Sequence, residues 1–316
     1  MKPAVEENPF YISRIFIGAV ILLALCIIIV IGISIYVGRN LTHPARCEIK
    51  ENPDQYGLTY EDVSFNSQFD NVKLEGWWIP AKKETSGNDT QKAVIFSHGY
   101  GSSRDISSIH VLGLAKRLTS EGYNVLLFDF RNSGKSEGNL TSVGLFEKYD
   151  LLSAIEFAKK EKNINNIALI GWSAGAAVSI NAGVEVPEVK AIIADSPFAD
   201  LFEYLKENLP VWSNLPNFPF TPIIMKSMVM MYDLKPEEVS PYKSASKLED
   251  RNLMLIHSKD DTSIGYENSQ IISSYVKDKS KVEVWLTEKA RHIESYLMEP
   301  QEYEKRVVDF LARCFR

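Results

Sequence analysis

From Ile15 to Val37 the chain carries no charge and almost no polar side chain, and Arg14 and Arg39 bracket the run. A bilayer-spanning helix needs about 20 such residues. The apolar region of a cleaved leader is shorter, about 7 to 15 residues before a small-residue cleavage site. The sequence Gly38-Arg39-Asn40-Leu41-Thr42-His43-Pro44 offers no such site, and Cys26 lacks the small residue that precedes a lipoprotein cysteine. The pattern predicts an uncleaved transmembrane helix over residues 15–37, after a tail at 1–14 and before a linker at 38–56.

Beyond residue 57 the pattern changes. Short continuous apolar runs near 93–97, 124–129, 167–171, 190–195, 252–257 and 281–286 alternate with helical periodicity, as over 109–120 and 147–161. Residues 63–69 and 72–80 come first and read as an antiparallel pair. Continuous apolar strands are buried on both faces, and helices between them make the crossovers of a parallel sheet. The prediction is an α/β fold over 57–316, with a mostly parallel central sheet flanked by helices. Roughly 260 residues suit one large domain. Residues 82–92 read as a polar surface loop between strands.

One stretch breaks the alternation. Residues 197–248 lie between two strands, with five prolines from Pro197 to Pro222 and a stretch of Ile, Met and Val at 223–231 that is broken by Lys226 and Ser227. This reads as an inserted lid, with a packed structural excursion as the alternative. Apolar lids with adaptable methionines suit acyl or other greasy groups. Phe198 and Met228 are the expected substrate-pocket residues, Phe198 because it follows the strand at 190–195.

Charge narrows the partners. The net charge is −6 and the pI near 5.5, with no Lys/Arg-rich tract. Nucleic-acid binding therefore has no electrostatic footprint. Three cysteines, Cys26, Cys47 and Cys314, do not make a disulfide framework. No metal-ligand cluster and no phosphate-binding loop is present, so no metal or other cofactor is expected. Asn88-Asp89-Thr90 and Asn139-Leu140-Thr141 match glycosylation sequons, a pattern that chance also produces.

The chemistry centres on Gly171-Trp172-Ser173-Ala174-Gly175, which follows an apolar strand and precedes a small-residue helix. Strand, sharp turn and helix are the context of a nucleophile elbow, with Ser173 projecting above the sheet. A serine nucleophile needs a base, an orienting acid and an oxyanion hole. The strand at 93–97 exits into His98-Gly99-Tyr100-Gly101, so the backbone amides of Tyr100 and Ala174 are the natural oxyanion donors. His98 precedes the serine and reads as a loop-ordering residue. In the chain order Ser, acid, His, the strand at 252–257 exits into Asp260-Asp261, and the strand at 281–286 exits into a loop that carries His292. Spacing leaves Asp260 and Asp261 both open. Asp129, Arg131 and Asp150 read as a structural network, and Trp77-Trp78 as sheet packing.

These segments resemble the α/β-hydrolases, in particular bacterial serine aminopeptidase-like hydrolases. The matching pieces are His98-Gly99-Tyr100-Gly101, Phe128-Asp129-Phe130-Arg131-Asn132-Ser133-Gly134-Lys135-Ser136, Gly171-Trp172-Ser173-Ala174-Gly175, Asp195-Ser196-Pro197-Phe198, His257-Ser258-Lys259-Asp260-Asp261 and Arg291-His292. The chain departs from the family pattern at Asn132, Ser258, Gly265 and Arg291, where glycine, glycine, proline and glycine are usual. The resemblance aligns the triad acid with Asp261. It implies a Ser173, Asp261 and His292 triad that hydrolyses carboxylic esters through an acyl-enzyme. Peptidase action on small peptides or amides is the alternative, and a non-catalytic scaffold a third reading. The basic residues flanking the span are nearly balanced, with Lys2 and Arg14 before it and Arg39, Arg46 and Lys50 after it. The short tail favours a cytoplasmic N-terminus, a single-pass protein of the cell membrane, and a hydrolase domain outside.

Overall fold

The computed structural model describes residues 9–82 and 91–315. The tail up to residue 8, the centre of the polar loop at 83–90 and the Asn88 sequon lie outside the described residues. The chain divides into two compact units. One comprises residues up to Leu41 together with Leu205–Leu234, and the other comprises Thr42–Tyr204 with Lys235–Arg316.

The larger unit is built on an eight-stranded sheet. Its strands are β1 (Glu61–Asn66), β2 (Lys73–Ile79), β3 (Lys92–Ser97), β4 (Asn124–Phe128), β5 (Asn166–Trp172), β6 (Val189–Asp195), β7 (Asn252–Ser258) and β8 (Val282–Thr287). They lie in the order β1-β2-β4-β3-β5-β6-β7-β8. Only β2 runs against its neighbours, and the pairs from β4 to β8 are all parallel. The central strands are buried along nearly their whole length, as continuous apolar runs require.

Ten α-helices are described. They are α1 (Pro9–Thr42), α2 (Leu112–Ser120), α3 (Glu147–Glu161), α4 (Ala174–Gly183), α5 (Leu201–Ser213), α6 (Asn217–Tyr232), α7 (Pro241–Ala245), α8 (Glu267–Tyr275), α9 (Ser295–Met298) and α10 (Pro300–Cys314). Two apolar clusters occupy the two faces of the sheet. One gathers Leu151, Ile155, Val178 and Ile272 from α3, α4 and α8. The other gathers Leu114, Leu118, Tyr303 and Phe310 from α2 and α10. Alternate residues of each strand feed the two clusters, Ile95 to the first and Phe96 to the second.

The smaller unit contains α1 and the centre of the insertion. Helix α1 runs five residues beyond Val37 to Thr42, and its apolar stretch has a mean hydropathy of 3.3. Where α1 meets α6 the backbones are close: a Cβ on Gly38 would lie 3.0 Å from Ser227 Oγ and 3.3 Å from Met228 Cγ. The rest of the insertion, with α7, belongs to the larger unit.

Residues 42–51, within the expected linker, are hydrogen-bonded to the larger unit. The Thr141 N–H donates to the Thr42 carbonyl at 2.8 Å, and Arg46 donates to the carbonyls of Ser136 and Gly138. The N–H groups of Lys50 and Glu51 donate to Asp105 Oδ2 at 2.9 and 3.1 Å.

Candidate active site

Open α/β sheets gather their ligands at the carboxyl ends of the parallel strands. Here those ends are in register, with Ser97 beside Gly171, Trp172 beside Asp195, Asp195 beside Ile256 and Ser258 beside Thr287. The loops that carry His98, Ser173, Asp261 and His292 therefore emerge along one edge.

Ser173 alone makes the turn from β5 into α4. Its φ of 56° and ψ of −122° lie in backbone space that side chains disfavour. Gly171 and Gly175 permit the turn, because a Cβ on Gly171 would fall 2.3 Å from the Gly175 carbonyl oxygen. One on Gly175 would fall 2.1 Å from the Ser97 carbonyl oxygen. The Ser173 N–H donates to the Asp195 carbonyl at 2.8 Å, which fixes the turn against β6.

Ser173, His292 and Asp261 form one hydrogen-bonded chain. Ser173 Oγ lies 2.8 Å from His292 Nε2, and His292 Nδ1 lies 2.7 Å from Asp261 Oδ2. The other Asp261 oxygen accepts the N–H groups of Ser263 at 2.8 Å and Ile264 at 3.0 Å. Burial pushes the Asp261 carboxyl upward. The polar His257 ring beside it and the bonds from His292 and the Ile264 N–H outweigh that and hold it well below the usual carboxylate range. An anionic Asp261 can only accept, so the His292 proton sits on Nδ1 and leaves Nε2 free to take the hydroxyl proton of Ser173.

The neighbouring carboxylate has a different place. Asp260 is exposed, and its Oδ2 accepts the Lys289 N–H at 2.6 Å, tying the β7 exit to the loop that carries His292. The geometry brings Asp261, not Asp260, to the histidine.

His98 is buried and orders the loop after β3. The Phe130 N–H donates to its Nε2 at 3.0 Å, so Nδ1 carries the proton and donates to the Gly99 carbonyl at 2.8 Å. Burial lowers its pKa and keeps the ring neutral. The ordered loop runs beside the turn, since a Cβ on Gly99 would lie 3.2 Å from Ser173 Cβ. Tyr100 and Ala174 line a cavity of about 20 Å³, together with Phe130, Val143 and Val178. That volume is close to what one water needs.

Glu147 lies on the same cavity, but both its oxygens are taken. One accepts from Thr141 Oγ1 and the Ser142 N–H, the other from Ser142 Oγ and the Gly144 N–H. Its role is to shape the turn before α3.

Neither Phe198 nor Met228 is among the residues that line this cavity. Phe198 is fully buried and stacks on Tyr204 with ring centroids 5.5 Å apart. Met228 sits in the smaller unit, against Gly38 of α1. The apolar wall of the cavity beside Ala174 comes instead from Phe130, Val143 and Val178.

Other buried charges hold loops in place. Arg104 pairs with Asp129 at 2.7 Å, and Arg131 pairs with Asp150 at 2.7 Å and with Asp70 at 2.9 Å. Asp195 accepts from Tyr303 at 3.0 Å and from Ser196 at 2.9 Å, and burial pushes its carboxyl up to about 7. Trp77 packs in the core under the Arg104 guanidinium.

Three residues of this edge escape a reading of the sequence. His257 is fully buried, with Nε2 2.8 Å from the Ile264 carbonyl and Nδ1 2.7 Å from Ser269 Oγ. Tyr204 is raised to about 12, by burial first and by the Asp261 charge second. Tyr303 comes from α10 to reach Asp195. Among them only His257 leaves a trace in the sequence: it opens one of the segments that match the family, and it ends an apolar strand, where a buried polar residue must find partners.

Comparison with known proteins agrees with this architecture. The family described as serine aminopeptidase, S33, matches residues 88–286. An uncharacterized protein of Bacillus subtilis, YqkD, is 31% identical over 227 residues, 71% of this chain and 72% of its own length. The lysophosphatidylserine lipase ABHD12 of Xenopus tropicalis is 26% identical over 175 residues, 50% of this chain and 44% of that protein. Among solved structures, the Pyrococcus furiosus esterase Pf2001 superposes with a TM-score of 0.69 at 32% identity, over 86% of this chain and 99% of that one. With its strand order, its elbow and its matched segment, the chain belongs to the serine aminopeptidase S33 family of α/β-hydrolases.

Proposed function

We propose that the protein is a membrane-anchored serine hydrolase that cleaves carboxylic esters through an acyl-enzyme. The observation that carries this reading is the chain Ser173–His292–Asp261, with contacts of 2.8 and 2.7 Å. His292 Nε2 takes the hydroxyl proton as Ser173 Oγ bonds to the ester carbonyl carbon. The Tyr100 and Ala174 amides receive the negative charge that develops on the carbonyl oxygen. Asp261 stabilises the imidazolium without taking its proton. His292 then protonates the leaving alkoxide, and a water activated by the same nitrogen releases the acid.

An ester is favoured over an amino-terminal amide by Glu147. An aminopeptidase needs a free carboxylate for the substrate ammonium, and the carboxylate on this cavity is saturated by four donors. The likeness to an esterase at 32% identity points the same way. The family's description as aminopeptidases keeps amide cleavage as the second reading. Helix α1 supplies the anchor, with the hydrolase unit on the outer side.

A fluorophosphonate probe tests the chemistry. It should label the wild-type protein at Ser173 and leave Ser173→Ala unlabelled. The variant should lose about 10⁴-fold or more in ester turnover, as triad removals do. Unchanged labelling in the variant would refute the reading. Faster cleavage of aminoacyl amides than of acyl esters would select the peptidase instead.

A further inference from the structure

We infer that helices α5 and α6 form a second membrane contact, an interfacial element that lies in the headgroup region beside the foot of α1. This rests on the reading of α1 as a bilayer span.

The first observation is a desert of charge. Residues 208–232 contain one charged side chain, Lys226. The water-facing side of an ordinary surface helix is rich in charge. Here most of the exposed side chains are apolar instead, with Asn214, Asn217 and Lys226 the polar ones among them. Phe218 is 82% exposed and Met230 75%, and Val211, Trp212 and Met231 are exposed with them. An exposed apolar patch of this kind marks a partner or a membrane.

The second observation selects the membrane. The patch belongs to the same compact unit as α1, whose exposed apolar side chains run from Ile15 to Tyr36. Helix α6 meets α1 at Gly38, through Ile224, Ser227 and Met228. Gly38 is the residue between the last apolar position of the run, Val37, and Arg39. A helix that spans the bilayer places that boundary at the level of the headgroups. Helix α6 is therefore held at interfacial depth, where amphipathic helices bury their apolar face about 5 to 10 Å into the headgroup and acyl boundary. The exposed aromatics Trp212 and Phe218, with Tyr36 of α1, are side chains of the kind that collect there.

The test uses the full chain in phosphatidylcholine vesicles whose acyl chains carry bromine near the headgroup, a short-range quencher of tryptophan. Of the five tryptophans, Trp77, Trp78 and Trp172 are buried in the core. Brominated lipid should quench part of the wild-type emission. Trp212→Phe should lose that quenchable part, and Phe218→Trp added to it should restore quenching. Probe labelling at Ser173 shows that each variant is folded. Equal quenching in wild type and Trp212→Phe, or none in either while the protein stays with the vesicles, would overturn the inference. Concentration-dependent cross-linking through Met230→Cys without lipid quenching would assign the patch to a second copy instead. Release of the protein from vesicles by alkaline carbonate would overturn the reading of α1, and the inference with it.

Discussion

His257 Nε2 stands 3.4 Å from the same Asp261 oxygen that receives His292 Nδ1. Its proton is directed to the Ile264 carbonyl, and its other nitrogen accepts from Ser269. Two histidines thus converge on one carboxylate, one facing Ser173 and one locked beneath it. His257 fixes where the Asp261 oxygen lies, and so where the imidazole of His292 points. His257→Ala should lower kcat by about tenfold, because the turn that holds Asp261 loses the ring bonded to the Ile264 carbonyl beneath it. KM should change little, because His257 lies away from the cavity. Steady-state kinetics of the purified variant would check this, and a loss confined to KM would contradict it.

The adjacent aspartates should separate cleanly. Asp261→Asn removes the charge that sets the His292 tautomer, and turnover should fall by about 10⁴-fold. Asp260→Asn keeps an acceptor for the Lys289 N–H and should cost less than about tenfold. Parallel assays on one ester decide the order. A larger loss in the Asp260 variant would move the acid by one residue.

Asp195 predicts a pH dependence of stability. Burial raises its carboxyl from 3.8 to about 7 in the folded chain. Between about pH 4 and about pH 7 the folded state therefore holds a proton that the unfolded state has lost, so this group's contribution to stability falls as pH rises through that window. Asn cannot ionise. The melting temperature of Asp195→Asn relative to wild type should rise from about pH 5 to about pH 8. Differential scanning fluorimetry in detergent would show it, and a difference independent of pH would refute the assignment.

The proposed anchor and its proposed direction predict a fractionation pattern. Full-length protein should remain with membranes in alkaline carbonate. Protease added to intact cells should reach the larger unit. Protection until lysis would place the hydrolase in the cytoplasm.

Much of the geometry of the candidate site was legible in the sequence because its signals are local. A glycine pair around Ser173 and a strand before it suffice to predict the turn. Chain order then selects His292. Asp261 against Asp260 was open to spacing alone, because adjacent residues on a loop differ only in where their side chains point. Arg104 and Asp129 meet across loops 25 positions apart, a pairing that no periodicity carries. The packing of the insertion was not legible for a related reason. Apolar residues of α6 read as pocket lining, yet Met228 is spent on α1, a helix far away in sequence. The bonds that hold residues 42–56 to the domain were not legible, because backbone bonds such as Thr141 to Thr42 leave no trace in side-chain pattern.

The turn at Ser173 has a consequence for how such a chain drifts. At φ 56° and ψ −122° the residue sits where glycine is at ease, and a side chain there costs of order 1–3 kcal/mol. Serine to glycine at this codon is therefore a mutation that folding rewards and chemistry punishes. In a lineage released from selection for turnover, that substitution would spread as a thermal improvement rather than persist as neutral decay. Inactive descendants of this fold should then carry glycine at the elbow more often than mutation alone would supply, and should melt at a higher temperature than their active ancestors.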